Sequence, residues 1–376
     1  MTTRITVVGA GFAGLTALRT LRRHAPDAEL TLVAPEAALH YLPGTIWIPS
    51  GLRSRTDLVV PLDAFLRRER IAFHRARATG LSADARTLHT DAGDMASDGL
   101  IVATGARFIR KLPGIEHAII PCEGVDAGEA IRDRLAALEG GTLCFGFGSN
   151  PNEPIAMRGG PVFEFVFGID TLLRKQRRRD RFRLAFFSPS EKPGQRLGEK
   201  AVGLILGEMR KRGIDTVLGE KPQRFEADAV QLERTRLDSA MTVFMPGLTG
   251  QAWLDATALP RSPGGFVQGD AQCRVPGVAC TYVAGDGGSY PGPDWLPKQA
   301  HQADLQAEVA ARNLLRTLRG EPAEEAFTAE LVCIVDTLDR GLLVTRKGAG
   351  GRALPPLRMM HWAKAAFEKR YLRRYR

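Results

Sequence analysis

The chain has 376 residues, 44% of them hydrophobic, and a formal net charge of +10, with a mean hydropathy of −0.14. That length supports two or three domains with substantial cores, and no window approaches the roughly 20 apolar residues that span a bilayer. The excess charge sits at the end, where ten Lys/Arg from Arg346 onward face one acid, Glu368, as either a solvated face or a contact for an anionic surface.

Residues 3–8 read as a short apolar strand, so early that no secretory signal peptide is expected before it. Gly9-Ala10-Gly11-Phe12-Ala13-Gly14 follows at once, and residues 15–24 carry Leu15, Leu18 and Leu21 at helical spacing. Strand, glycine turn and helix in this order make a dinucleotide-binding unit. Gly9 permits the turn, Gly11 lets the backbone approach a pyrophosphate, and Gly14 lets helix pack on strand. The pyrophosphate belongs on the free N–H groups of the helix start. Residues 30–33 close the unit as a second strand. Glu36, 22 residues past Gly14, stands where an acid meets the adenosine ribose, or else is an exposed turn glutamate. Residues 40–49 are irregular yet too apolar for a free loop, which points to packing on a ligand.

Further along, residues 62–70 read as a helix, 71–74 as a strand and 81–90 as a strand or hairpin. Residues 100–105 form a buried strand ending in Ala103-Thr104-Gly105, small enough for close backbone approach to a cofactor. A linker over 113–128 leads to a helix at 130–139. A strand at 142–145 and the turn Gly146-Phe147-Gly148-Ser149-Asn150-Pro151 then repeat the first unit weakly. Pro151 stands where a third glycine belongs, and the next strand, 182–187, ends without an acid. A working NAD(P) site is therefore disfavoured, with Lys192 and Arg196 its candidate 2′-phosphate contacts. A second basic run spans 174–183. Met245-Pro246-Gly247-Leu248 returns the chain towards the first domain. A strand at 280–284 runs into Gly285-Asp286-Gly287-Gly288 and a helix at 298–318. Asp286 there can hydrogen-bond a ribityl hydroxyl, and the helix start points its dipole at a flavin pyrimidine edge.

The five cysteines (Cys122, Cys144, Cys273, Cys280, Cys333) show neither CxxC nor zinc spacing, as expected of a cytosolic protein without a metal centre. Cys144, Cys273 and Cys280 read as core or strand thiols. The expected fold is α/β, with two Rossmann-like domains of the FAD/NAD(P)-binding, glutathione-reductase-like kind. Residues 1–113 and 247–322 would form the FAD domain, 114–246 the second domain, and 323–376 a small basic C-terminal region.

Several stretches together resemble the sulfide:quinone oxidoreductase family of flavoproteins. They are Tyr41-Leu42-Pro43 with Thr45-Ile46-Trp47, Gly160-Pro161-Val162-Phe163-Glu164-Phe165, Met245-Pro246 with Leu248 and Gly250, and Leu296-Pro297-Lys298. Most specific are Val332-Cys333-Ile334-Val335-Asp336 with Arg340-Gly341, and His361-Trp362-Ala363-Lys364-Ala365-Ala366-Phe367-Glu368-Lys369. The resemblance runs over nearly the whole chain. It implies a monotopic membrane enzyme that holds FAD, takes electrons from sulfide through a cysteine pair and passes them to quinone. It makes Cys333 the C-terminal active-site cysteine and Cys122 a helper or flavin tether. It puts Lys298 near the flavin pyrimidine and Phe367 and Lys364 in the quinone pocket. The family's other active-site cysteine falls at Met157-Arg158-Gly159, with Arg158 the best match. Bridge chemistry needs two sulfurs; a fixed cation there can hold an anionic substrate or stabilise a thiolate or anionic reduced flavin.

Residues 357–375 can be drawn as a helix whose Met359, Trp362, Ala363, Ala366, Phe367, Arg370 and Tyr371 share one face, with Lys364, Lys369, Arg373 and Arg376 mainly elsewhere. Either that stripe meets a membrane or it is core. With the resemblance, a cytoplasmic protein peripheral on the cytoplasmic membrane is expected, and no nucleic-acid partner. The expected function is transfer of electrons from a small sulfur-containing or anionic donor through FAD to membrane quinone. The alternatives are an NAD(P)H:quinone oxidoreductase of the type II NADH dehydrogenase kind, and a flavin-bearing redox sensor or partner subunit.

Overall fold

The structure, a computed structural model, describes residues 3–376. β1 (Arg4–Val8) is buried along all but its first residue, the continuous apolar run that a strand covered on both faces requires. α1 (Phe12–His24) begins three residues earlier than expected, because Gly11 is its extended N-cap and Gly14 lies inside the first turn. β2 (Glu29–Ala34), β3 (Ile71–Arg75) and β4 (Gly99–Val102) continue the first sheet. The chain then enters the second sheet through β5 (Ala118–Ile119), α2 (Val125–Ala137), β6 (Gly141–Phe147), α3 (Gly160–Lys175), β7 (Phe182–Ser188), α4 (Glu199–Lys211), β8 (Ile214–Leu218) and β9 (Met241–Met245). It returns with β10 (Thr281–Val283) and α5 (Ala300–Leu318), and ends in an antiparallel meander, β11 (Glu330–Asp336), β12 (Gly341–Lys347) and β13 (Gly350–Ala353), capped by α6 (Arg358–Leu372).

The first sheet has the order β10-β4-β1-β2-β3 and is parallel throughout. Val8 is level with Val33 and Val102, and Val102 with Val283, so four strand ends open on one edge, where α/β sheets bind ligands. Leu15, Leu18 and Leu21 of α1 share a core with Ala307, Ala310, Ala311 and Leu314 of α5. The second sheet, β5-β9-β6-β7-β8, is also parallel and repeats the strand order around its glycine-rich strand. The internal repeat is therefore real at the level of topology.

Five expectations need correction. The second glycine turn does not lead straight into a helix, because residues 148–159 form an irregular connection before α3. The helix expected at 130–139 begins at Val125, and that expected from Lys298 begins at Ala300. The basic run 174–183 is partly consumed by structure. Arg174 and Arg179 pair with the fully buried Asp170, as does Arg212, and Arg178 donates to the Leu138 carbonyl.

The fifth concerns two residues of α6. Met359, Trp362 and Phe367 are 60%, 69% and 56% exposed, so this stripe is not core. Tyr371, assigned to the same stripe, turns inward against Phe12 and Tyr41. Lys364 is half-buried beneath the helix rather than displayed in solvent. No helix among the described residues is long and apolar enough to cross a membrane.

Candidate functional site

The strand ends of the first sheet open into a cavity of about 1160 Å³ that also reaches α3, β11 and α6. Its dinucleotide end is built by backbone. Gly9 has φ +112°, and a Cβ there would lie 2.3 Å from the Ala103 carbonyl oxygen. A Cβ on Gly14 would lie 1.8 Å from the Gly9 oxygen, whereas one on Gly11 would meet open space. Gly9 and Gly14 are thus required by protein packing, whereas no protein atom crowds Gly11. The start of α1 has neither a side-chain cap nor an acid in its first turn, which leaves its N–H groups for an anion. Thr104 presents a buried Oγ1 without a partner among the described residues, and Gly105 turns away with φ +67°. Glu36 lies on the wall and is hydrogen-bonded to His40 at 2.7 Å. Open backbone, orphaned hydroxyl and wall carboxylate fit a dinucleotide.

At the far end Arg158 is not a lone cation. Its guanidinium donates to the Asp286 carboxylate and forms an ion pair with it, and Cys122 lines the same cavity. Burial opposes the charge, but Asp286 outweighs it and holds the guanidinium protonated. Burial pushes the Cys122 thiol up, with Arg158 pulling the other way. Lys298 donates Nζ to the carbonyls of Asp286 and Gly288 at 2.9 and 2.8 Å.

Cys333 of β11 also lines the cavity, its thiol pushed up to about 12 by burial and then by Glu164. Glu164 of α3 accepts from Lys364 Nζ and, at 2.8 Å, from the Asp336 amide. Burial raises it to about 7 although Lys364 pulls it down. Asp304 of α5 accepts from Thr16 Oγ1 at 2.7 Å and Tyr371 OH at 3.1 Å, and burial raises it to about 6. Phe367 stands at the mouth, lining the cavity while more than half exposed.

Cys122, Arg158, Gly9, Gly11, Glu36, Thr104, Gly105, Asp286, Lys298, Cys333, Lys364 and Phe367 all line this one cavity, with Gly14 just behind its wall. All five cysteines are free thiols. Arg274 pairs with Tyr282, and the Cys273 carbonyl accepts from the Val283 amide, so Cys273 and Cys280 do not face each other across their turn. Glu164 and Asp304 were not singled out in the sequence as site residues. Their signal is an acid on the apolar, buried face of a helix. Arg196 is not free for a 2′-phosphate: it donates to the carbonyls of Ile155 and Leu296. Lys192 lies near Glu199 at 3.6 Å. The second glycine loop is pressed onto Gly247, where a Cβ would lie 2.3 Å from Ser149.

Residues 3–144 match the pyridine nucleotide-disulphide oxidoreductase family. The sulfide-quinone reductase of Aquifex aeolicus (strain VF5) is 25% identical, over 99% of this chain and 91% of its own length. The type II NADH:quinone oxidoreductase of Staphylococcus aureus (strain NCTC 8325 / PS 47) is 24% identical, over 98% and 94%. The X-ray structure of the sulfide:quinone oxidoreductase from Aquifex aeolicus superposes with a TM-score of 0.91 at 21% identity, covering 100% of this chain and 92% of that one.

Proposed function

We propose that this chain, an oxidoreductase of the flavoprotein fold similar along its whole length to sulfide-quinone reductases, holds FAD and passes electrons from a small sulfur-containing or anionic donor to membrane quinone. One observation carries the reading: a single cavity joins the glycine fingerprint, a cluster of thiols and charges, and a mouth beside the exposed apolar stripe of α6. When bound, FAD supplies the acceptance and release of an electron pair.

In this reading Gly9, Gly11, Gly14, Thr104 and Gly105 receive the pyrophosphate, and Glu36 the ribose. Asp286 meets the ribityl chain, and Lys298 lies towards the pyrimidine. Arg158 holds Asp286 in place. With Asp286 paired to it, Arg158 attracts a donor anion less strongly than a free arginine would. Cys333 keeps its proton on Sγ at neutral pH. Quinone reduction takes up two protons with two electrons, and the Glu164–Lys364 pair holds a proton at the wall in the neutral range. Phe367 packs on the quinone, and α6 rests its apolar stripe and its cations on the membrane surface.

NADH is the competing donor, on the strength of the likeness to the type II NADH:quinone oxidoreductase. Its site would lie where the second glycine loop is pressed onto Gly247 and Arg196 is tied to carbonyls, which favours the first reading. The test is an anaerobic screen of the purified yellow protein against sulfide, polysulfide, thiols and NADH. Bleaching by a sulfur donor is the expected result; bleaching by NADH instead reverses the choice of donor. Stoichiometric FAD that no small donor reduces would mark a sensor or partner subunit.

A further inference from the structure

The wall formed by Asp286 and Lys298 has a second side. Behind it lies a polar void of about 40 Å³, bordered by Glu153, Ser289, Tyr290 and Gln306. It exceeds the ~10–15 Å³ that one water needs. Lys298 lines both this void and the main cavity. Two neutral carbonyls and the face of Phe266, 3.8 Å from Nζ, stand where a buried ammonium ordinarily has a carboxylate. Across the void, Glu153 accepts from Ser262 and Ser289 and from the Gly264 amide. Its neighbours Asn152 and Pro154 are exposed.

The charged groups facing Lys298 are Asp286, Glu153, Arg196 and Arg158. Burial lowers the lysine to about 8, Asp286 and Glu153 raise it, and the two arginines lower it further. Arg158 is committed to Asp286, and Arg196 to two carbonyls. Burial holds the Tyr290 hydroxyl in its protonated form. Lys298 remains as the uncommitted cation on the void, and Glu153 borders it next to the exposed Asn152 and Pro154.

We propose that Lys298 is a proton-exchanging residue: where its amine is neutral it takes up one proton at Nζ through water in the void when negative charge enters the cavity and releases it when that charge leaves, with Glu153 as the entry from solvent. Uptake forms one N–H bond from a hydronium proton passed along the water. Release breaks that bond and leaves the electron pair on nitrogen. No electron moves to or from the lysine; the electrons come from the donor and leave to the quinone. The inference rests on the flavin reading of the cavity.

The first test needs no flavin. Protein carrying ¹³Cε-lysine is titrated by NMR, with Lys298→Met identifying the resonance. Lys298 is expected to titrate near 8; an ordinary lysine value near ~10.4 overturns the proposal. In the loaded protein the flavin midpoint potential is followed against pH. Above the Lys298 titration its slope should steepen by about 30 mV per pH unit, the increment for one proton per two electrons. Lys298→Arg, which keeps the charge but does not titrate, should show no bend, and an unchanged bend overturns the proposal. Glu153→Gln should keep the bend but slow proton uptake, read with an indicator dye, at least about tenfold; unchanged uptake overturns the Glu153 entry. A protein that binds no flavin fails the proposed function and leaves the first titration standing as a separate test.

Discussion

Arg158 and Asp286 form an ion pair in the wall of the cavity. Both side chains are mostly buried, at 22% and 12% exposure, and removing one partner strands a charge in a poorly solvated wall. Arg158→Met should destabilise the protein by roughly 3–5 kcal/mol, and adding Asp286→Asn should restore most of the loss. Additive losses in denaturant unfolding would contradict the pairing. Cys333, held up to about 12, should react with iodoacetamide at neutral pH at least about a hundredfold more slowly than a free cysteine. Glu164 and Asp304 make a pH prediction of definite sign. Their folded values, about 7 and about 6, lie above the ordinary 4.5 and 3.8, so the native state binds protons that the unfolded chain has released. The stability they contribute is full at low pH and is lost as pH rises through the folded values. Glu164→Gln should therefore flatten the fall in melting temperature between pH 4.5 and 7; an unchanged profile would contradict it. In sequence Arg158 is legible as a cation in a cysteine's place, but its partner is not. Asp286 lies 128 residues away, and only the docking of two sheets brings them together.

At the scale of elements the fingerprint and α6 teach opposite lessons. Spacing alone marks Gly9, Gly11 and Gly14, and the structure adds that they serve different masters. Gly14→Ala drives a Cβ into the Gly9 carbonyl and should unfold the turn, whereas Gly11→Ala meets open space. It should leave melting nearly unchanged and weaken flavin binding, by at least about tenfold. Equal losses of stability in both would contradict this division. For α6, periodicity identifies residues that share a face but not which face is buried. The inner face is filled by Tyr371 and Leu372 in the core and by polar contacts. His361 meets Asp336 at 2.7 Å, Lys364 meets Glu164, Arg53 reaches Glu368 at 2.5 Å and Tyr371 donates to Asp304. The stripe is free to face outward. Trp362 fluorescence should shift to the blue on vesicles containing anionic lipid, and Phe367→Asp should weaken that binding at least about tenfold. Equal binding by the variant would contradict a membrane role for the stripe.

Over the whole molecule, two parallel sheets of the same strand order were legible as a repeat because a glycine turn between strand and helix is local. What became of the second unit was not legible. Its loop is pressed onto Gly247, and Asn150 donates to the carbonyls of Leu248 and Gly264, contacts about a hundred residues apart that no local pattern encodes. The cavity belongs to this scale too, because α1, α3, α5, β11 and α6 each supply part of its wall. The proposed electron exit can be tested without knowing the donor. The flavin is reduced photochemically under anaerobic conditions and mixed with a soluble quinone while its absorbance is followed. Stoichiometric reoxidation, with quinol formed in equal amount, is predicted. A flavin that stays bleached in the presence of excess quinone would contradict the proposed function.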